Sequence, residues 1–339
     1  MSLWPVYRGE GEPHDGVRRL PPPPPWRAFD GGPPLDAPTG DEEAAASPYR
    51  VHRAETYRPT DKAVQLVNAA LYLRRPLLVT GPPGSGKSSL PYAVARELGL
   101  GPVLRWNITS RATLADGIYQ YDPLSRLYAA GRSAEDGPPE DGAVEDHLRL
   151  GPLGTALLPY EQPRVLLIDE IDKSDLDLPN DLLHVLEEGQ YEIPELVRAA
   201  RTRPEADVLI ADSDDRVAVR QGRVRCRAFP FVVLTSNGER EFPPAFLRRC
   251  VTLELKQPLP EHLADIVRAH LGELDEEADG LVRLFLERGS AGELATDQLL
   301  NAVYLTRASG LAAVEREDLA KSLMPYLSRA TDPLDGDDL

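Results

Sequence analysis

Four short stretches of the 339-residue chain combine residue types and spacing that could do chemistry. The first is Gly81-Pro82-Pro83-Gly84-Ser85-Gly86-Lys87-Ser88, which fits G-x-x-x-x-G-K-[ST] at every fixed position. Gly84 and Gly86 let the backbone bend so that its N–H groups face phosphate oxygens, and a helix starting there adds a favourable dipole. Lys87 could then reach the β- and γ-phosphates of a nucleotide, and the Ser88 hydroxyl could ligate Mg2+. The bland alternative is a glycine-rich turn, but an apolar strand before the loop and a helix after it supply the context the motif needs. The second stretch is Val165-Leu166-Leu167-Ile168-Asp169-Glu170, four apolar residues ending in two carboxylates. At the C-terminal edge of a buried strand, Asp169 could hold magnesium through water and Glu170 could polarise an attacking water. Alone, such a strand end is weak evidence, because an acidic helix cap explains it equally well.

The third stretch, Val232-Val233-Leu234-Thr235-Ser236-Asn237, is another apolar run ending in polar residues, where Asn237 could orient a water or merely open the turn at Gly238. The fourth is Phe242-Pro243-Pro244-Ala245-Phe246-Leu247-Arg248-Arg249-Cys250. Adjacent arginines are usually surface charge; in a ring of subunits, Arg248 and Arg249 could instead reach a neighbour's γ-phosphate.

These residues need elements to hold them. Val64, Leu66, Val67, Ala70 and Leu71 have helical spacing that Pro76 ends. Strands follow at Leu77–Thr80, Val103–Ile108, Val165–Ile168 and Phe231–Thr235, with helices between them, including one over Lys87–Leu98. Strands alternating with helices predict an α/β fold with a parallel sheet covered on both faces. After Pro260 the pattern is helical only, near 261–272, 276–289, 296–309 and 315–328, which makes a small all-α lid. The expected organisation is a Pro-rich flexible tail over 1–47, a nucleotide-binding core over 48–258, a helical lid over 259–330 and an acidic tail over 331–339. Within the core, 133–147 is acidic and reads as an exposed insertion, and a hairpin is expected near 216–229. The run Pro21–Pro25 before Trp26 could dock as a polyproline ligand, although a solvated tether explains its composition as well.

Composition narrows the function classes. With 55 Asp+Glu against 38 Lys+Arg, the net charge is −17, which argues against a general nucleic-acid coat. No stretch is long and apolar enough to span a membrane, and the N-terminus lacks a signal-peptide layout. Two cysteines, Cys226 and Cys250, offer no disulfide framework. A cytoplasmic location is expected. The six histidines show no ligand spacing, and His184 reads as a packed helix residue. Tyr49, Tyr57 and Tyr72 precede the phosphate loop; one could stack near adenine, but packing of the entry segment is the plainer role.

Together GPPGSGKS (81–88), LLIDEIDKSD (166–175), EEGQYEIPEL (187–196), LTSNGERE (234–241) and FPPAFLRRC (242–250) resemble an AAA+ ATPase, and within that superfamily the MoxR family. The resemblance covers about residues 55–330, and it implies an insertion in the second helix of the core, here near 117–158. It implies a P-loop αβα core with a parallel sheet and a small helical lid, assembled as a homo-oligomer, a hexameric ring with ATP and Mg2+ between subunits. Carried over, Gly81, Pro82, Pro83, Gly84, Ser85, Gly86, Lys87, Ser88, Ser89 and Asp169 hold the nucleotide, with Ser88 and Asp169 serving the metal. Glu170 and Asn237 act on the lytic water, one or both of Arg248 and Arg249 act in trans, and Asn107 matches a position that restrains the catalytic glutamate. No arginine starts the third lid helix, where Leu294-Ala295-Thr296-Asp297-Gln298-Leu299 stands instead. No N-K-x-D guanine signature is present, which favours ATP over GTP.

MoxR-like ATPases are similar to chaperones working with a partner that bears a von Willebrand factor A domain, so a protein client is expected. The net charge of −17 argues against nucleic acid as the partner. A nucleic-acid motor or restriction-type NTPase is the alternative, because Arg216, Arg220, Arg223, Arg225 and Arg227 cluster near the hairpin. A slow ATP-dependent switch in a bacterial conflict system is a further one.

Overall fold

The apolar runs that end in polar residues become neighbouring strands of one sheet. In the computed structural model, β1 (Leu77–Thr80), β2 (Leu104–Asn107), β5 (Val165–Asp169), β10 (Phe231–Ser236) and β11 (Val251–Glu254) lie in the order β11-β1-β10-β5-β2. Every pairing is parallel, and the register sets Thr80 beside Ser236 and Asn107 beside Asp169. The polar ends of separate strands therefore meet at one edge. The structure describes residues 4–36, 47–128, 143–211, 213–289, 294–309, 319–320 and 322–325.

Strand alternation divides the core in two. Val165, Leu167, Phe231 and Val233 face a cluster containing Val67 and Leu71 of the helix Asp61–Leu73, and Leu90, Val94 and Leu98 of the helix Leu90–Leu98. Leu166, Ile168, Val232 and Leu234 face the opposite cluster, with Leu182 and Leu186 of the helix Leu178–Glu188. A second sheet, not expected from the sequence, completes that side. It comprises β3 (Tyr119–Tyr121), β4 (Leu148–Leu150), β6 (Gln190–Glu192), β7 (Glu205–Leu209), β8 (Arg216–Arg220) and β9 (Arg223–Arg225), in the order β3-β4-β7-β8-β9-β6. The expected hairpin is β8–β9, and the insertion near 117–158 supplies β3 and β4. Of its acidic part, 133–142 lies outside the described residues, while Val144 is buried.

The N-terminal segment differs most from its composition. Residues 4–36 lie along the core as a strap rather than a solvated tail. Main-chain N–H groups of Val6 and Tyr7 donate to Asn68 Oδ1 at 2.7 and 3.0 Å, and those of Arg8, Gly9 and Gly11 donate to the buried Glu97 carboxylate at 2.6, 3.2 and 3.0 Å. The Arg27 guanidinium donates to the carbonyls of Arg74, Leu186 and Glu187, at the ends of two helices, and lies over the rings of Phe29 and Phe229. A few polar anchors buried in the core thus supply what the strap's sparse apolar residues do not.

The lid helices are Pro260–Leu271, Glu276–Gly289 and Thr296–Ser309, packed through Leu263, Val267, Phe285, Leu299 and Val303. Most of the expected fourth helix, and the acidic tail, lie outside the described residues. His270 of the lid meets His52 of the entry helix Pro48–Thr56 edge-on at 5.2 Å.

Candidate nucleotide site

The loop after β1 takes the shape its glycines allow. Gly84 and Gly86 have φ of +71° and +85°, a region that other residues rarely adopt. A Cβ on Gly86 would come within 3.2 Å of the Tyr57 ring, and one on Gly84 would meet Ala295 Cβ at 2.7 Å and Asp297 Oδ1 at 2.9 Å. Tyr57 therefore packs beneath the loop, and the lid closes on it with residues 295–297. The helix begins at Leu90, later than expected, because Gly86 to Ser89 form a turn with Ser89 N donating to Gly86 O at 2.9 Å.

Buried Lys87 donates from Nζ to the carbonyls of Gly81 and Pro82, both at 2.8 Å. Burial lowers its pKa, opposed by the negative charges of Asp172, Asp169 and Glu170. Ser85 Oγ is buried without a hydrogen-bond partner among the described residues. An ammonium with a third N–H to give and an orphaned hydroxyl on a bent glycine loop fit a phosphate group. Ser88 Oγ donates to Asp169 Oδ1 at 2.7 Å, which brings both expected metal-serving residues together. Among the described residues no group of three or more His, Cys, Asp or Glu forms a cage for an ion. Ser88 and Asp169 would thus serve magnesium jointly with nucleotide phosphates, as this hard, water-retaining cation prefers.

Asp169 ends a strand buried along its whole length. Its Oδ1 also accepts from Thr235 Oγ1 at 2.7 Å, and its Oδ2 pairs with Arg105 Nη2 at 2.8 Å. Burial alone would push its pKa up; hydrogen bonds from Thr235, Ser88 and Arg105, with the Arg105 charge, hold it below the usual carboxylate range. Glu170 sits in the left-handed region at φ 62°, ψ 49°, and its N–H donates to Thr235 Oγ1 at 2.9 Å. One hydroxyl therefore ties β10 to Asp169 at the end of β5 and to Glu170 just after it. The Glu170 carboxylate pairs with Lys173 at 2.8 Å. Asn107, exposed, stands beside Asp169 in the register.

Asn237 follows β10 directly, and its N–H donates to Asp172 Oδ2 at 2.9 Å, as does that of Glu239 at 3.2 Å. Asp172 is buried and its Oδ1 has no partner among the described residues. Sequence reasoning missed Arg105, Thr235 and Asp172. Thr235 and Asp172 lie inside the quoted motifs, and Arg105 lies two residues before Asn107 on the same strand face.

Arg248 and Arg249 are not brought to this loop. Arg75 Nη1 donates to Arg248 O at 3.0 Å, at the start of β1, whereas the phosphate loop leaves its far end. A four-residue strand separates the two by about 13 Å. Arg249 pairs with Glu187 and donates to Ala245 O; the exposed Arg248 side chain has no partner among the described residues.

No curated protein matches the chain. The model of the AAA domain of the dynein-related subfamily matches residues 76–250, just over half of the chain. That span runs from the residue before β1 to the residue before β11, and it contains the phosphate loop, Arg105, Asp169, Glu170, Thr235, Asn237 and both arginines. The chain belongs to the AAA domain family, dynein-related subfamily.

Proposed function

We propose that the protein binds and hydrolyses ATP with Mg2+ in a cytoplasmic homo-oligomeric ring, and that it uses the cycle to remodel or mature partner proteins as MoxR-like ATPases do. The observation that carries this reading is the convergence of Lys87, Ser88, Asp169, Glu170 and the Asn237 backbone at one edge of the parallel sheet, linked through Thr235 and Asp172. Lys87 would turn from the Gly81 and Pro82 carbonyls to β- and γ-phosphate oxygens, and the loop N–H groups and Ser85 would complete the cradle. Bound magnesium would neutralise charge on the phosphates, held by Ser88 directly and by Asp169 through water. Glu170, once released from Lys173, polarises the attacking water, which Asn237 orients. Arg248 is the side chain able to extend to a neighbour's γ-phosphate, and it takes a charge-stabilising role where the start of the third lid helix offers no arginine; Arg249 is held by Glu187. Client binding and a partner with a von Willebrand factor A domain follow from the MoxR-like reading.

A nucleic-acid motor finds little support. Arg216, Arg220, Arg223 and Arg225 pair with Asp146, Glu205, Glu192 and Asp30, so the charge of four of the cluster's five arginines is matched within the chain. Among the described residues no helix is long and apolar enough to cross a membrane.

The test is nucleotide binding and turnover in two variants. Lys87→Ala should weaken ATP binding by at least about a hundredfold. Glu170→Gln should bind ATP as the wild type does and hydrolyse it at least about a hundredfold more slowly. Wild-type turnover in Glu170→Gln would remove the assigned base. Arg248→Ala subunits should poison mixed rings; activity that falls strictly in proportion to the mixture would place the arginine outside the neighbour's site.

A further inference from the structure

The pairing of Arg105 with Asp169 reaches beyond phosphate binding. β2 runs parallel to β5, with Arg105 opposite Leu167 and Asn107 opposite Asp169. From two residues upstream, the long Arg105 side chain extends along the strand edge and delivers Nη2 to Asp169 Oδ2 at 2.8 Å. Asp169 is buried, and its Oδ1 is already occupied by the Ser88 and Thr235 hydroxyls, both at 2.7 Å. Among the described residues Arg105 is the one cation within ion-pair distance of this carboxylate. Lys87, the other nearby cation, is committed to two loop carbonyls.

The pair is built to open. A guanidinium locked on a carboxylate usually presents two parallel N–H groups. Here one nitrogen makes the contact, and Arg105 Nε is buried without a hydrogen-bond partner. The side chain is also 36% exposed, so it has a route to solvent, whereas Asp169 is held on three sides. A buried carboxylate needs positive charge beside it, and two cations close to one carboxylate repel each other.

We propose that Arg105 is a built-in counter-ion of Asp169 that competes with magnesium for this carboxylate. Metal loading of the nucleotide site is thereby linked to release of Arg105. The inference rests on the nucleotide-binding reading above. It makes Arg105 a positioning residue that sets metal affinity, and it gives a sign opposite to that of a simple scaffold. If Arg105 merely held Asp169 in place, removing it would loosen the carboxylate and weaken metal binding. As a competitor, its removal strengthens metal binding.

The experiment is a titration of the full-length, ADP-loaded protein with Mn2+, followed by electron paramagnetic resonance of the free ion. Arg105→Gln, which keeps a donor but loses the charge, should bind Mn2+ at least about tenfold more tightly than the wild type. Arg105→Lys, which keeps the charge, should stay within about threefold of it. Mn2+ should also raise the melting temperature of Arg105→Gln more than that of the wild type. Unchanged or weaker Mn2+ binding by Arg105→Gln overturns the proposal. If that variant does not fold, tenfold tighter binding by Arg105→Lys, its charge intact, overturns it instead. A wild type that binds Mn2+–ADP while Arg105→Gln fails to tighten sinks only the role of Arg105; a wild type with no affinity for ADP sinks the nucleotide reading itself.

Discussion

The two sheets of this protein are made differently and do different work. In the parallel sheet every residue of β5 and β10 is buried, because helices and the strap cover one face while the second sheet and another helix cover the other. In the second sheet β7, β8 and β9 alternate between buried and exposed residues. Val208, Val219 and Val224 point into the core, and the arginines between them point to solvent and pair with acids. A sheet dry on both faces can offer polar groups only at its strand ends, and Asp169, Ser236 and the phosphate loop gather there. A sheet with one wet face spreads charge along its length, where water screens it. Concentrated chemistry and dispersed charge follow from the same −17 chain folded in these two ways.

The comparison breaks first at Leu167. This fully buried residue fills the helix-facing side of β5. Leu167→Ala should lower unfolding free energy by about 3 kcal/mol, read from the urea midpoint, because a cavity opens between two covered layers. A loss under about 1 kcal/mol would mean that this face collapses freely and is no rigid base for Asp169 two residues on.

A smaller effect is expected where the strap meets the core. Asn68→Ala would leave the N–H groups of Val6 and Tyr7 and the carbonyl of Tyr7 without partners. The expected cost is about 2 kcal/mol, with faster hydrogen exchange at Val6 and Tyr7. Exchange unchanged from the wild type would show that buried Tyr7 and Val17, not the amide, hold the strap.

That attachment also shows why the sequence was legible only in part. β1, β5 and β10 are apolar runs closed by polar residues, and the lid helices repeat their apolar positions at helical spacing, so each element announces itself locally. The strap does not: its anchors, Asn68 and Glu97, read as ordinary polar helix positions, and its partners are main-chain groups that carry no residue signature. β7, Glu-Ala-Asp-Val-Leu, carries acids at exposed positions, and it is a strand because β8 pairs with it along its whole length. β11 follows the adjacent arginines as Val-Thr-Leu-Glu, where exposed Thr252 and Glu254 interrupt the apolar run, and only its pairing with β1 marks it as a strand. The phosphate loop and both carboxylates were legible because their spacing is their chemistry. Arg105 was not, since its role depends on the register that sets β2 against β5.

The smallest effect is expected on the wet face. Arg223 and Glu192 pair across β9 and β6 at 2.8 Å, but their side chains are 64% and 57% exposed. Water and salt screen such a pair, and fixing two long side chains costs entropy. Arg223→Ala should therefore change unfolding free energy by no more than about 0.5 kcal/mol, and a double-mutant cycle with Glu192→Ala should give a coupling of similar size. Raising the salt to about 1 M should erase even that, because the screening length falls to about 3 Å. The Arg105–Asp169 pair should keep more of its coupling under the same salt, since Asp169, unlike Arg105, is buried. If Arg223 and Glu192 instead coupled by more than about 1.5 kcal/mol and resisted salt, the wet face would be as organised as the dry one. The contrast between the two sheets would then rest on burial alone and not on the strength of their charges.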